Sequence, residues 1–451
     1  MQLTFLGATN TVTGSKFLLS LNNKKILVDC GLFQGLKELR LRNWVKFPVD
    51  PRSIDAVVLT HAHIDHSGYL PVLMKNGFRG KVYCSPATRD LCAVLLPDSG
   101  YLQEEEAKNA NKYGYSKHQP AVPLYTREDA ERTLTLFHPL EFRKKHRLEE
   151  ETFISLVPAG HILGASFVEI KHDGETLLFS GDLGRPHDLV MHPPAIMQQA
   201  DYLVLESTYG NRLHPKIDPL IELAEVISHT AERGGTIVIP AFAVGRAQHM
   251  LYLLYLLKIA KRIPNVPIYL DSPMAKDATD IFLKYTALHR LDAALSKKVC
   301  EVAKYINSKE ESQLLDRDTS PKVIISASGM LEGGRVLHHI KTFGPDERSM
   351  IVFTGYQAAG TRGADVIHGK RVLKVFGETI EIKAEVRVLS NMSAHADYEE
   401  ILDWLRHFNH HPRKVFITHG EPDAALSLQQ KIEEQFQWTC VVPDYMHTET
   451  L

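Results

Sequence analysis

His61-Ala62-His63-Ile64-Asp65-His66 places four side chains able to ligate a metal within six residues. The stretch before it, 54–60, is a β-branched apolar run that reads as a buried strand. Ser67-Gly68 follows, and 69–74 reads as the start of a helix. The cluster therefore sits on a strand-to-helix loop, where side chains can converge on one point. A lone histidine is more often a core or surface residue than a ligand. Three histidines and an aspartate packed this closely are not explained as structural burial, because buried charge is rarely left uncompensated. Imidazole and carboxylate suit zinc and similar divalent ions. In this pattern His61 and His63 can face one ion and Asp65 and His66 a second.

The chain has 451 residues, more than one ordinary core accommodates, so two or three folding units are expected. Its 44% hydrophobic and 24% charged content is that of a globular protein. Net charge is −2, so no overall basic excess points to nucleic acid; any such contact must come from a local patch or from bound metals. The five cysteines (Cys30, Cys84, Cys92, Cys300, Cys440) are scattered, with no CxxC pair. That argues against a disulfide framework and for a reducing, cytoplasmic setting. The first seven residues read as a strand rather than a signal peptide. The longest apolar stretch, 251–260, is too short to cross a membrane.

Outward from the His loop, 3–6, 15–21 and 25–29 read as strands, with Asn22-Asn23 as a hairpin turn. A strand at 80–84 precedes helical segments at 88–95 and 101–113, where Glu104-Glu105-Glu106 reads as a solvated face. Residues 114–125 read as loop, and Thr126 caps a helix with Asp129 at the capping-box position. His161 lies alone among apolar neighbours after a strand at 152–157. Asp182 follows a strand at 176–179 and stands between Gly181 and Gly184, a place for a bridging carboxylate. Glu206 closes an apolar run that starts at 203. From about 211 the pattern changes to alternating strands and helices, which implies a parallel sheet covered on both faces. Its loops end in Ser, Gly and helix N-termini, natural places for phosphate. From 385 the chain is expected to return to the first fold, with His395 in Ser-Ala-His-Ala-Asp and His419 after a strand at 414–418.

These motifs, in this order, resemble the β-CASP branch of the metallo-β-lactamase superfamily. Within it the chain is similar to bacterial and archaeal relatives of the nuclease subunit of the pre-mRNA cleavage and polyadenylation factor. Carrying the resemblance are Asp29, the His61–His66 loop, His161, Asp182, Glu206 in Leu-Glu-Ser-Thr-Tyr-Gly, His395, and His419 in Thr-His-Gly-Glu. The segments 240–248 and 325–331 match as well. The resemblance implies an α/β fold, an αββα metallo-β-lactamase sandwich (1–210 and 385–451) with an inserted β-CASP domain (211–384). It implies two zinc ions, or manganese in their place: one held by His61, His63 and His161, the other by Asp65, His66 and His419. Asp182 would bridge them, with a hydroxide between. Asp29 would orient the metal loop by hydrogen bonding. Glu206 would hold His395, which would protonate or stabilise the leaving oxygen, so that Asp65, Asp182, Glu206 and His395 form the catalytic set.

The implied substrate is single-stranded RNA, admitted to a narrow groove beneath the inserted domain. Cleavage is expected to be mainly endonucleolytic, with 5′-to-3′ exonuclease action as a second mode, by a monomer or homodimer. A histidine at 419 goes with RNA substrates in the family, where DNA-acting members tend to carry valine. Arg246, Ser328, Gly329 and Arg335 are candidate phosphate contacts, although Arg246 serves equally well as a structural ion pair between helices. His249 stands where relatives are often acidic, the stretch 355–363 differs from some relatives around Arg362, and a KH-like extension before the first strand is not expected. Two other readings remain: a small-molecule hydrolase of thioesterase or lactonase type, and an inactive RNA-binding scaffold.

Overall fold

The apolar run before the His loop forms a buried strand at Ala56–Val58 in a computed structural model that describes residues 1–22, 24–114 and 118–451. The turn expected at Asn22-Asn23 lies partly outside the described residues, and so do residues 115–117 of the loop expected at 114–125. Two compact units are present: Met1–Leu213 with His395–Leu451, and His214–Ala394.

The first unit holds two seven-stranded sheets. In one, Ala56–Val58 pairs parallel with Lys24–Val28 and Lys81–Cys84, and Phe17–Leu21 and Gln2–Phe5 continue the sheet as an antiparallel meander. In the other, Lys414–Thr418, Tyr202–Glu206 and Glu175–Phe179 are parallel neighbours, followed by antiparallel Ser166–His172 and Thr152–Pro158. Alternate residues of both sheets meet in one core: Leu3, Phe5, Leu19 and Val58 from the first, Leu156, Val168, Phe179 and Phe416 from the second. That is face-to-face packing of two sheets. Residues of opposite pleat, Leu27, Val57 and Val82, are also fully buried, so the outer face is covered too. On the second sheet Phe167 meets Trp404 of the helix Tyr398–Leu405, ring centroids 5.1 Å apart.

The expected helices at 88–95 and 101–113 are one 28-residue helix, Pro86–Tyr113, which runs through Pro97. Burial of Leu91, Leu95 and Leu96 before the proline and of Ala107 and Ala110 after it outweighs the lost hydrogen bond. The capping box at Thr126 and Asp129 is present.

The second unit is built on a six-stranded sheet, every paired neighbour parallel, with Lys322–Ser326 and Thr236–Pro240 at its centre. These strands are buried at every position, as covered parallel strands must be. Glu385–Val388, expected to open the return to the first unit, instead pairs parallel with Met350–Phe353 at the edge of this sheet. The return comes at His395, not at 385. The reason is one of pairing: a short strand joins whichever open edge its connection reaches, and that is not written in its side chains.

At the end of the strand Ile268–Asp271 of this sheet Asp271, fully buried, accepts from Arg335 Nη1 (2.6 Å), His339 Nε2 (2.8 Å) and Ser312 Oγ (2.5 Å), while His339 Nδ1 lies 2.7 Å from Asp316 Oδ1. Asp271→Ala is expected to destabilise this unit by about 3–5 kcal/mol in denaturant unfolding, because it strands a buried imidazolium and a guanidinium. The cluster also has a pH window. Burial opposes the Asp271 charge, yet His339, Ser312 and Arg335 hold its carboxyl below the usual range. Its contribution is thus complete above about pH 3.9 and lost as pH falls through the lowered value. Burial opposes the His339 charge, yet Asp271 and Asp316 hold its imidazole above the usual range. That contribution is complete below about pH 6.5 and lost as pH rises through the raised value. The unit should therefore soften above neutrality, and His339→Phe should flatten that alkaline slope.

Candidate metal centre

Strand register assembles the site. Val28 pairs with Val58, so Asp29 arrives beside Thr60 and the His loop. Phe179 pairs with Val204 and Glu206 with Thr418, so Asp182, Glu206 and His419 emerge from the same end of three parallel strands. Gly184 has no room for a side chain: a Cβ there would lie 2.1–2.2 Å from Gly160, which brings the Asp182 loop against the His161 loop.

His61 Nε2 and His63 Nδ1 stand 3.0 Å apart, His63 Nδ1 and His161 Nε2 3.4 Å, and His66 Nε2 and His419 Nε2 3.1 Å. Donor atoms of His61, His63, His161 and Asp182, and separately of Asp65, His66 and His419, all lie within 4.8 Å of one another. Ligands about 2.0–2.1 Å from a tetrahedral zinc lie roughly 3.3 Å from one another, so these separations suit a divalent cation. Asp182 reaches both groups. Its Oδ2 lies 3.4 Å from His61 Nε2 and 3.4 Å from His161 Nε2; its Oδ1 lies 3.3 Å from His66 Nε2. Asp65 Oδ2 is 3.5 Å from His419 Nε2.

Hydrogen bonds behind the ligands decide which nitrogen faces the site. Asp29, buried, accepts from Thr60 N (2.8 Å) and Thr60 Oγ1 (3.0 Å), and its Oδ2 is 2.7 Å from His66 Nδ1. A carboxylate only accepts, so Nδ1 of His66 carries the hydrogen and Nε2 presents its lone pair. With its proton on Asp29, Thr60 Oγ1 accepts from His61 Nδ1 at 3.1 Å and turns Nε2 of His61 inward. Asp29→Asn is accordingly expected to lower metal affinity about 10- to 100-fold in a chelator competition.

Glu206, also buried, is a second hub. It accepts from Leu183 N (2.5 Å) in the Asp182 loop and from Thr208 Oγ1 (2.6 Å), which in turn lies 3.2 Å from His419 Nδ1. Its two oxygens are 3.0 and 3.3 Å from His395 Nδ1. Sequence reading passed over Thr60 and Thr208 because threonine at a strand end looks like strand; their one signal is adjacency to His61 and Glu206.

Burial lowers the basicity of His61, of His161 and, to about 3, of His63, leaving the neutral imidazoles a metal needs. His66 is opposed by burial but raised by Asp182, Asp29 and Asp65: three carboxylates call for positive charge here. His395 is opposed by burial and raised by Glu206 and Asp182 to about 9.

The candidate phosphate contacts of the second unit have other attachments. Arg335 is bound to Asp271 and to the carbonyls of Ile306 and Asn307, so its charge is already answered. Ser328 Oγ accepts from Glu332 N and Gly333 N and shapes its own loop. Gly329 packs on Phe242, and Arg246 is buried at the start of the helix Arg246–Ile259. All five cysteines are free thiols, and among the described residues no helix is long and apolar enough to cross a membrane.

A two-sheet sandwich with histidine and aspartate clusters at its strand ends is the architecture of a metallo-hydrolase. The chain belongs to the β-CASP branch of the metallo-β-lactamase superfamily. Residues 12–223 match the metallo-beta-lactamase superfamily, 247–366 the Beta-Casp domain, and 379–443 the Zn-dependent metallo-hydrolase RNA specificity domain. It is 37% identical over 95% of both chains to ribonuclease TTHA0252 of Thermus thermophilus. It is 33% identical to the transcription termination factor FttA of Methanosarcina mazei, over 97% of this chain and 69% of that one. An RNase J-like protein of Methanocaldococcus jannaschii is 29% identical over 93% of this chain and 92% of its own. Among solved structures, a protein of unknown function from Enterococcus faecalis V583 shares the fold with a TM-score of 0.54 at 14% identity, over 100% of this chain and 99% of that one.

Proposed function

We propose that the protein is a zinc-dependent ribonuclease that hydrolyses phosphodiester bonds of single-stranded RNA, mainly at internal positions, with 5′-to-3′ exonuclease action as a second mode. The observation that carries this reading is the pair of facing donor sets joined by Asp182. Support for RNA comes from the match to an RNA specificity domain and from a ribonuclease among the relatives. His61, His63 and His161 would hold one ion and Asp65, His66 and His419 the other, with Asp182 shared. When bound, such ions supply Lewis-acid activation of a water and neutralise charge on the phosphate.

The chain's own residues do the rest. Asp182 fixes the spacing of the two donor sets. Asp29 and Thr60 hold the His loop in one tautomer. Glu206 takes Nδ1 of His395, so Nε2 is the ring atom that delivers a proton to the leaving oxygen. The test is cleavage of internally labelled single-stranded RNA and matched DNA, with metal content measured on the same preparation. Internal cuts in RNA with about two zincs per chain are expected. Two zincs with no cleavage of either polymer would overturn the reading in favour of a small-molecule hydrolase.

A further inference from the structure

The segment between Asp29 and the strand that leads into the His loop carries a surface no function yet explains. The helix Lys37–Arg42 buries none of its residues. Around it Leu36, Leu41, Trp44 and Val45 are exposed, Trp44 by 54%. An apolar and aromatic patch of this kind is seldom left bare without a use. Within 37–46 four cations (Lys37, Arg40, Arg42, Lys46) face one carboxylate, Glu38, in a chain whose net charge is −2. Nearby Asp50 is taken up by Arg52 at 2.9 Å. Arg42 stacks on Tyr445 and Phe33, 4.4 and 5.5 Å from their ring centres, and so pins the segment. Lys37, Arg40 and Lys46 are exposed.

The patch is tied to the metal centre by hydrogen bonds. Leu32 N donates to Ile64 O at 2.9 Å, between His63 and Asp65. The Asn43 side chain clamps the next residue, accepting from Phe33 N (3.0 Å) and donating to Phe33 O (2.8 Å). Trp44 follows directly, so its Cα stands no more than about 22 Å from that of Ile64. Cations interleaved with an exposed indole are the chemistry of a single-strand binding surface: the ring stacks any base and the cations follow the backbone.

We propose that this face binds the part of a single-stranded RNA that flanks the scissile bond, with a base stacked on Trp44 and phosphates paired with Arg40 and Lys46. The inference rests on the ribonuclease reading for its substrate and adds a subsite to it. Trp44 also supplies the probe, because Trp404 and Trp438, the other two tryptophans, are 5% and 8% exposed.

Oligoadenylates of increasing length should quench tryptophan emission on mixing with the metal-loaded protein, and Trp44→Phe should abolish the quenching while keeping affinity. Trp44→Ala should raise KM by about 5- to 100-fold for RNAs long enough to reach the patch and leave the shortest unaffected, with kcat little changed. Arg40→Glu with Lys46→Glu should lower the log–log salt slope by about 1.4, two phosphate contacts' worth. An unchanged KM without quenching would overturn the proposal. So would a KM rise equal at every length and not rescued by phenylalanine, or a sedimentation shift that makes the face a contact between copies of the chain. If the protein cleaves no RNA yet oligoadenylate still quenches Trp44, the ribonuclease reading fails and the surface stands.

Discussion

Asp182→Ala is expected to bring RNA cleavage below detection and to strip metal from the protein, measured as zinc per chain after gel filtration. Asp182 addresses both donor sets, through Oδ2 to His61 and His161 and through Oδ1 to His66. Removing it takes away a ligand from each set. It also removes one of the three carboxylates that call for positive charge around His66, leaving Asp29 and Asp65. Loss of a mere hydrogen-bond partner behind a ligand costs about 10- to 100-fold in affinity, and loss of a shared ligand should exceed that. The fold should survive, since Leu183 N remains bonded to Glu206 and the loop keeps its anchor. Full activity with full metal in this variant would rule out a shared-carboxylate centre.

His395→Ala is expected to slow cleavage by on the order of 10²–10⁴ while metal content stays near that of the parent protein. Nδ1 of His395 is directed at Glu206, and the residue is absent from both donor sets. Its backbone is held independently of the side chain, through the bridge to Gly184 and the Ala396 N to Leu183 O bond of 2.8 Å. Truncation should therefore remove a proton donor without moving Asp182. A variant that loses zinc in step with activity would make His395 a ligand instead. Together the two substitutions separate metal binding from proton delivery, which share one set of loops.

How much of this was written in the chain depends on the distance over which each feature acts. The His61–His66 loop was legible because four potential ligands within six residues are a local property. So was the parallel α/β unit from about 211, since hydrophobic period is local too, whereas the sandwich was implied by the resemblance. The distant partners Asp29, His161, Asp182, Glu206, His395 and His419 were legible only as ordered motifs of a resembled family. Each by itself is an ordinary polar residue at a strand end.

Tertiary structure decided the remainder. Strand register placed Phe179, Val204 and Phe416 side by side and so aligned the three loops that carry Asp182, Glu206 and His419. It drew Asp29, Thr60 and Thr208 into the hydrogen bonds behind His66, His61 and His419. It gave Arg335 to Asp271, and the strand Glu385–Val388 to the sheet of the second unit. It also left Trp44 bare on a basic segment anchored to the metal loop. A side chain's chemistry belongs to its residue type, whereas the partner it meets is set by contacts between stretches far apart in the chain. A local motif therefore announced a metal centre, and only the packing of two sheets determined which groups orient it.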